Sequence, residues 1–129
     1  MQRLCALSFG DKLVGYTPAL RLQEQLSDLV RTGALPSFVL CLQHKHVFTL
    51  GKRGRDEDLL VGRSELNQSG IDVQRTNRGG EVTYHGPGQL VLYPIVNLRK
   101  FQLGARRYVE TLEDTVVNTL ARYRTRKRE

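Results

Sequence analysis

A chain of 129 residues, 40% of them hydrophobic, is long enough for one domain with a buried core and short for two. Its net charge of +7 invites a nucleic-acid partner. Residues 124–129, however, carry four basic groups and one acidic one, so the rest of the chain holds only +4, and its arginines interleave with Asp56, Glu57, Asp58 and Glu110; no basic stripe forms, and nucleic acid is not the expected partner.

The first apolar stretch, Leu4 to Leu7, falls short of the ~7–15 residues of a secretory core and of the ~20 of a membrane span, so neither secretion nor a membrane is expected. Arg3 to Phe9 reads as a short strand. Cys5 and Cys41 have no Cys-x-x-Cys spacing and read as reduced, small core residues. Thr17-Pro18 reads as a helix start, with threonine capping the free amides and proline at the first helical position, where its missing N–H costs nothing. Leu22, Leu26, Leu29 and Val30 follow on one face, and Gly33 ends the helix in a left-handed turn.

Phe38 to Gln43 is an apolar run of strand length, expected to be buried on both faces, and Val47 to Leu50 is a second strand in the same unit. Between them, His44-Lys45-His46 puts two imidazoles on one side of a strand. Only His85 remains as a third imidazole, without a carboxylate or thiol at useful spacing, so no metal centre is expected. A polar loop from Gly51 to Gly62 leads to a helical turn near Ser64 to Gln68 and a strand at Ile71 to Arg75. Gln89 to Val96 is β-rich, and Pro94 within it argues for an edge or a bulge. From Ala105 to Tyr123, Tyr108, Val109, Leu112, Val116, Val117 and Leu120 recur at helical spacing; Arg106 and Arg107 can pair with Glu110 or Asp114 as ordinary surface support. Strands and helices do not alternate regularly enough for a doubly wound sheet, and the fold class is α+β, a mixed sheet flanked by helices.

The densest feature is the run from Arg78 to Leu90, with four glycines, one proline, one arginine and one histidine in thirteen positions. Glycine costs backbone entropy, so such a cluster marks unusual dihedrals or close approach to a ligand. Arg78 offers a fixed cation and a fork of donors, Gly79 and Gly80 leave amides unobstructed, and Val82, Thr83 and Tyr84 alternate as a short strand. His85-Gly-Pro-Gly88 is a turn presenting an imidazole at its entry and running into Gln89. These groups suit a carbonyl, acyl or phosphate oxygen. Neither the Gly-x-x-x-x-Gly-Lys-Ser/Thr nor the Gly-x-Gly-x-x-Gly nucleotide pattern is present there.

Read on to Tyr93, the run (Arg-Gly-Gly-Glu-Val-Thr-Tyr-His-Gly-Pro-Gly-Gln-Leu-Val-Leu-Tyr) resembles the signature of the lipoyl(octanoyl) transferases, which move an octanoyl group from acyl carrier protein to a lysine of a lipoyl domain. Val47 to Gly51 and Leu112 to Leu120 resemble flanking segments of that family, which usually shows a proline where His46 stands. The resemblance implies the fold of biotin and lipoate protein ligases, with residues 1–123 as the N-terminal part of a single catalytic domain and 124–129 as a divergent basic tail. It implies a substrate-binding wall made of Arg78, Gly79, Gly80, Glu81, Val82, Thr83, Tyr84 and His85, beside an apolar tunnel for the acyl chain. The family's acyl-enzyme cysteine and its assisting lysine fall downstream, so no catalytic residue maps here and the chain is expected to be inactive alone. No cofactor is expected.

Expected partners are octanoyl-acyl carrier protein, met by Lys52, Arg53, Arg55, Arg106 and Arg107, and the lipoyl domains of 2-oxoacid dehydrogenase E2 subunits and of glycine cleavage H protein. The compartment would be the cytoplasm, or the mitochondrial matrix in a eukaryote. The alternatives are an ATP-using ligase of the biotin and lipoate type, against which His-Gly-Pro-Gly-Gln speaks, and a non-catalytic module that binds acyl carrier protein or a lipoyl domain.

Overall fold

The structure, a computed structural model, describes residues 3–123. They fall into two compact units, one spanning Arg3–Val96 and the other beginning at Asn97. The basic tail expected at 124–129 lies outside the described residues. No helix among the described residues is long and apolar enough to cross a membrane.

The first unit contains β1 (Leu4–Val14), α1 (Tyr16–Thr32), β2 (Ser37–His44), β3 (Val47–Leu50), α2 (Arg63–Gln68), β4 (Asp72–Arg75), β5 (Val82–His85) and β6 (Val91–Ile95). The class is α+β, as the sequence implies, but the strands form two three-stranded mixed sheets, in the orders β1-β2-β6 and β4-β3-β5. β3 therefore does not join β2. The chain bends at Lys45 and His46, between the two strands, and β3 pairs instead with β4 in parallel and β5 antiparallel.

β2 is the centre of the first sheet, parallel to β1 and antiparallel to β6. Residues of a strand alternate between faces, and here Leu40, Leu42 and His44 point to one face and are completely buried. By register Leu40 lies opposite Tyr93 and Leu42 opposite Val91, while α1 packs against β6. The other face is open. There Cys41 sits opposite Ser8 and Leu92, and Leu92 stays 55% exposed. Burial on both faces of β2 is thus corrected to burial on one, and Cys5 and Cys41 are each half-buried. Pro94 lies on the outermost strand of this sheet, where its missing donor is harmless.

The cap of α1 is Gly15, not Thr17, and no side chain caps the helix. Pro18 falls third rather than first, still within the turn whose amides have no intrahelical acceptor. Gly33 ends the helix at φ 82°, and its amide donates to Val30 O. Of the expected apolar face Val30 is buried, whereas Leu29 is 42% exposed and Ala19 takes a core place instead.

In the second unit, α3 (Ala105–Arg122) follows Gly104. Glu110 accepts Arg106 at 3.2 Å and Arg107 at 3.3 Å, the surface pairing expected of that helix. The hydroxyls of Thr111, Thr115 and Thr119 each donate at 2.7 Å to the carbonyl four residues back. No residue of α3 is buried.

Candidate functional site

The glycine-rich loop is built by topology. β4 and β5 flank β3 on opposite sides, so residues 76–81 must cross the end of β3 at Leu50 and Gly51. The crossing is sewn by backbone bonds from Gly51 N to Glu81 O at 2.7 Å, Lys52 N to Arg78 O at 2.9 Å, Arg53 N to Gly80 O at 3.1 Å and Thr76 N to Leu50 O at 2.8 Å. Gly51 has no room for a side chain: a Cβ would collide with Gly80 O and lie 2.7 Å from Gly79 O and 2.8 Å from Arg78 Nη1.

Arg78 latches this loop from inside. Its Nη2 donates to Thr49 O at 2.6 Å and Thr49 Oγ1 at 2.8 Å, and also to Glu81 O at 3.2 Å, while Nη1 donates to Gly79 O at 2.9 Å. Thr49 is buried, so a half-buried guanidinium satisfies a carbonyl that water does not reach, while the Gly79 and Glu81 carbonyls it also holds belong to exposed residues. Its charge acts beyond the loop, lowering the Tyr16 pKa against the larger upward push of burial.

The other half of the site is an imidazole pair between the two sheets. His44 is wholly buried, and its Nδ1 donates to Val14 O at 2.9 Å. A carbonyl can only accept, which fixes the proton on Nδ1 and leaves Nε2 to accept the Tyr93 hydroxyl at 2.7 Å. Burial, above all, holds the His44 pKa below that of a free histidine; nearby His85 adds to this and the Val14 bond opposes it. Burial, with a smaller contribution from Tyr16, pushes Tyr93 up to about 12. Both effects favour a neutral imidazole accepting from a protonated phenol. The Tyr16 ring lies 5.4 Å from His44 and the His85 ring 5.8 Å from it.

His85 carries the free function. Its Nδ1 donates to Gln89 Oε1 at 2.6 Å, and Gln89 Nε2 donates to Tyr84 O at 3.4 Å. That arrangement leaves Nε2 as a lone pair with no partner among the described residues. Gly88 N donates to Gln43 Oε1 at 2.7 Å, tying the turn to β2 of the other sheet.

Alternation sorts the eight expected wall residues. Thr83 and His85 share the face of Thr49 and Val47, whereas Val82 and Tyr84 share the face of Leu50 and Phe48. The Glu81 side chain stands 4.0 Å from Arg53 at the surface. Gly79 and Gly80 form the crossing beside Arg78. An apolar cavity of about 260 Å³ is lined by Phe48, Asp58, Leu59, Leu60, Val61 and Leu66, on the Phe48 side of β3 and away from His85; none of the residues from Arg78 to Gln89 lines it.

His44, Tyr93 and Tyr16 are the members that the sequence reading does not single out as site residues. The legible sign was phase: Leu40 and Leu42 set the buried face of β2, and His44 continues it. The two imidazoles of His44-Lys45-His46 part company, since His44 is buried and His46 lies exposed beyond the strand with Nδ1 on the Tyr84 hydroxyl.

Residues 15–129 match the family model of the lipoyl protein ligase A/B catalytic domain. The chain is 44% identical over 123 residues to an octanoyltransferase of Solibacter usitatus (strain Ellin6076), covering 95% of this chain and 55% of that protein. It is 44% identical over 115 residues to the mitochondrial octanoyltransferase LIP2 of Arabidopsis thaliana, covering 89% and 49%, and 41% identical over 121 residues to an octanoyltransferase of Clostridium kluyveri, covering 94% and 52%. The chain spans about half the length of the curated relatives it matches. A glycine crossing locked by Arg78, a histidine presented at the following turn and a match over residues 15–129 lead to one assignment: the chain belongs to the lipoyl protein ligase A/B catalytic domain family.

Proposed function

We propose that this chain forms the acyl-substrate wall of an octanoyltransferase, which moves an octanoyl group from octanoyl-acyl carrier protein to a lysine of lipoyl domains in 2-oxoacid dehydrogenase E2 subunits and glycine cleavage H protein. The relatives named octanoyltransferase support the chemistry. The observation that carries it is the open Nε2 of His85, oriented by Gln89 and set beside the His44–Tyr93 pair.

In this reading a thiolate attacks the carrier thioester, a new carbon–sulfur bond forms and the carrier leaves as its thiol. A lysine amine then attacks, a carbon–nitrogen bond forms and the first thiol is released. This chain's part is binding and orientation. Arg78 holds the crossing in one shape; His85 can accept a proton or a hydrogen bond at Nε2; His44 and Tyr93, mutually satisfied and uncharged, back it with a fixed dipole instead of mobile water. The nucleophile is assigned to none of its residues, because Cys5 and Cys41 stand within β1 and β2 of the first sheet. The exposed Arg53 and Arg55 suit an acidic carrier. The compartment is read as cytoplasm or, in a eukaryote, the mitochondrial matrix.

The test is a titration of isotope-labelled chain with octanoyl-acyl carrier protein. Shifts at the His85 ring and the Gln89 side chain are expected, that of Gln89 weakened in His85→Ala, while intact mass shows no octanoyl adduct on Cys5 or Cys41. A carrier that leaves His85 unmoved would count against the reading.

A further inference from the structure

We propose that His46 is a positioning residue, acting through Tyr84 to fix the turn that follows β5 and so to aim the open Nε2 of His85; this rests on reading His85 as the group that faces substrate. His46 is itself well anchored. Its carbonyl accepts Asp72 N at 3.1 Å, and the amide of the preceding Lys45 donates to Val14 O at 3.2 Å, which ties this bend to β4 and to the end of β1.

From there its Nδ1 meets the Tyr84 hydroxyl at 2.7 Å, with the two rings inclined at 29° and 6.2 Å apart. Phe48, directly opposite Tyr84 in register, sets its ring 5.3 Å from the phenol. The phenol is thereby held over one backbone position. A Cβ at Gly86 would collide with the Tyr84 hydroxyl, lie 2.7 Å from Tyr84 Cζ and stand 3.2 Å from His46 Nδ1. Tyr84, His46 and the buried Gly86 thus form one contact, and Gly86 follows His85 in the chain.

The contact propagates by bonds. Gly86 O accepts Gln89 N at 3.1 Å, and the Gln89 side chain accepts the Nδ1–H of His85 while donating back to Tyr84 O. Displacing the phenol frees Gly86, then Gln89, and finally the proton that Gln89 holds on His85 Nδ1. Because Tyr84 is 43% exposed, its hydroxyl contributes little to core packing, and its effect is on the turn.

The experiment uses the labelled 129-residue chain without carrier protein and reads the His85 ring nitrogens by NMR. In the parent His85 shows the Nδ1-protonated pattern. In Tyr84→Phe and in His46→Ala the two nitrogens move toward averaged values, and exchange of the Gly88 and Gln89 amides rises about fivefold, the worth of one ordinary hydrogen bond. His46→Asn, whose amide reaches the place of Nδ1, restores the parent pattern. His44 serves as the internal control, with its nitrogens unchanged in each variant. Should His46→Ala not fold, Tyr84→Phe and His46→Asn decide the matter. Unchanged His85 nitrogens and turn exchange in folded Tyr84→Phe would overturn the proposal. With no carrier present, either result is independent of whether the chain binds an acyl group.

Discussion

His44 shows how one side chain couples two sheets to the pH of the medium. In the unfolded chain it titrates near ~6.5, and in the fold burial and His85 hold it lower. Below about pH 6.5 the unfolded state takes up a proton that the folded state refuses, so stability falls with pH from there down to the folded pKa and then levels off. Thermal unfolding midpoints between pH 7.5 and 5 should show this decline, with a smaller slope in His44→Asn. Gly51 makes a steric prediction at the same scale. A methyl group there meets two carbonyl oxygens and the Arg78 guanidinium, and Gly51→Ala should cost about 1–3 kcal/mol as an overpacked site. Denaturant titration measures the loss, and Lys52 and Arg53 amides that stay as protected as in the parent would contradict the steric account.

Among the elements, β2 bears the clearest energetic asymmetry. Leu40 is 0% exposed and Leu92, on the neighbouring strand, is 55% exposed. Leu40→Ala should therefore destabilise the chain by about 2–5 kcal/mol, whereas Leu92→Ala should stay within about 0.5 kcal/mol of the parent. Equal losses in urea would mean that the open face of the sheet is covered in solution. The first turn of α1 illustrates a different balance: with Gly15 at the cap and no side-chain bond, that helix depends on packing of Ala19 and Val30 rather than on its terminus.

Across the whole molecule, protection should be unequal. Leu40, Leu42, Val47 and Leu50 form the buried centre of the first unit, while α3 of the second buries nothing and exposes Val109, Val116, Val117 and Leu120. Native-state hydrogen exchange should find amides of α3 opening by local fluctuation and those of β2 only with global unfolding. Similar protection in both would show that α3 is packed in solution.

Period and punctuation carried much of this in the sequence. The 3.6-residue spacing marked α1 and α3, Gly33 marked a left-handed stop, and Pro94 marked an outer strand, because each follows from local sterics or from one missing donor. The tightness of the run from Arg78 to Leu90 was legible for the same reason: glycine density reports backbone constraint. Pairing was not legible. Whether β3 continues beside β2 or turns into a second sheet depends on partners dozens of residues away, and that choice set His44 beside His85 and His46 beside Tyr84. Sequence alone determined which segments are helix and strand and where the chain is constrained, since those are short-range properties. Only the tertiary structure decided that Arg78 spends its donors on Thr49, Gly79 and Glu81, and that His44, Tyr93 and Tyr16 stand with His85, since a hydrogen bond needs both partners in place before its direction exists.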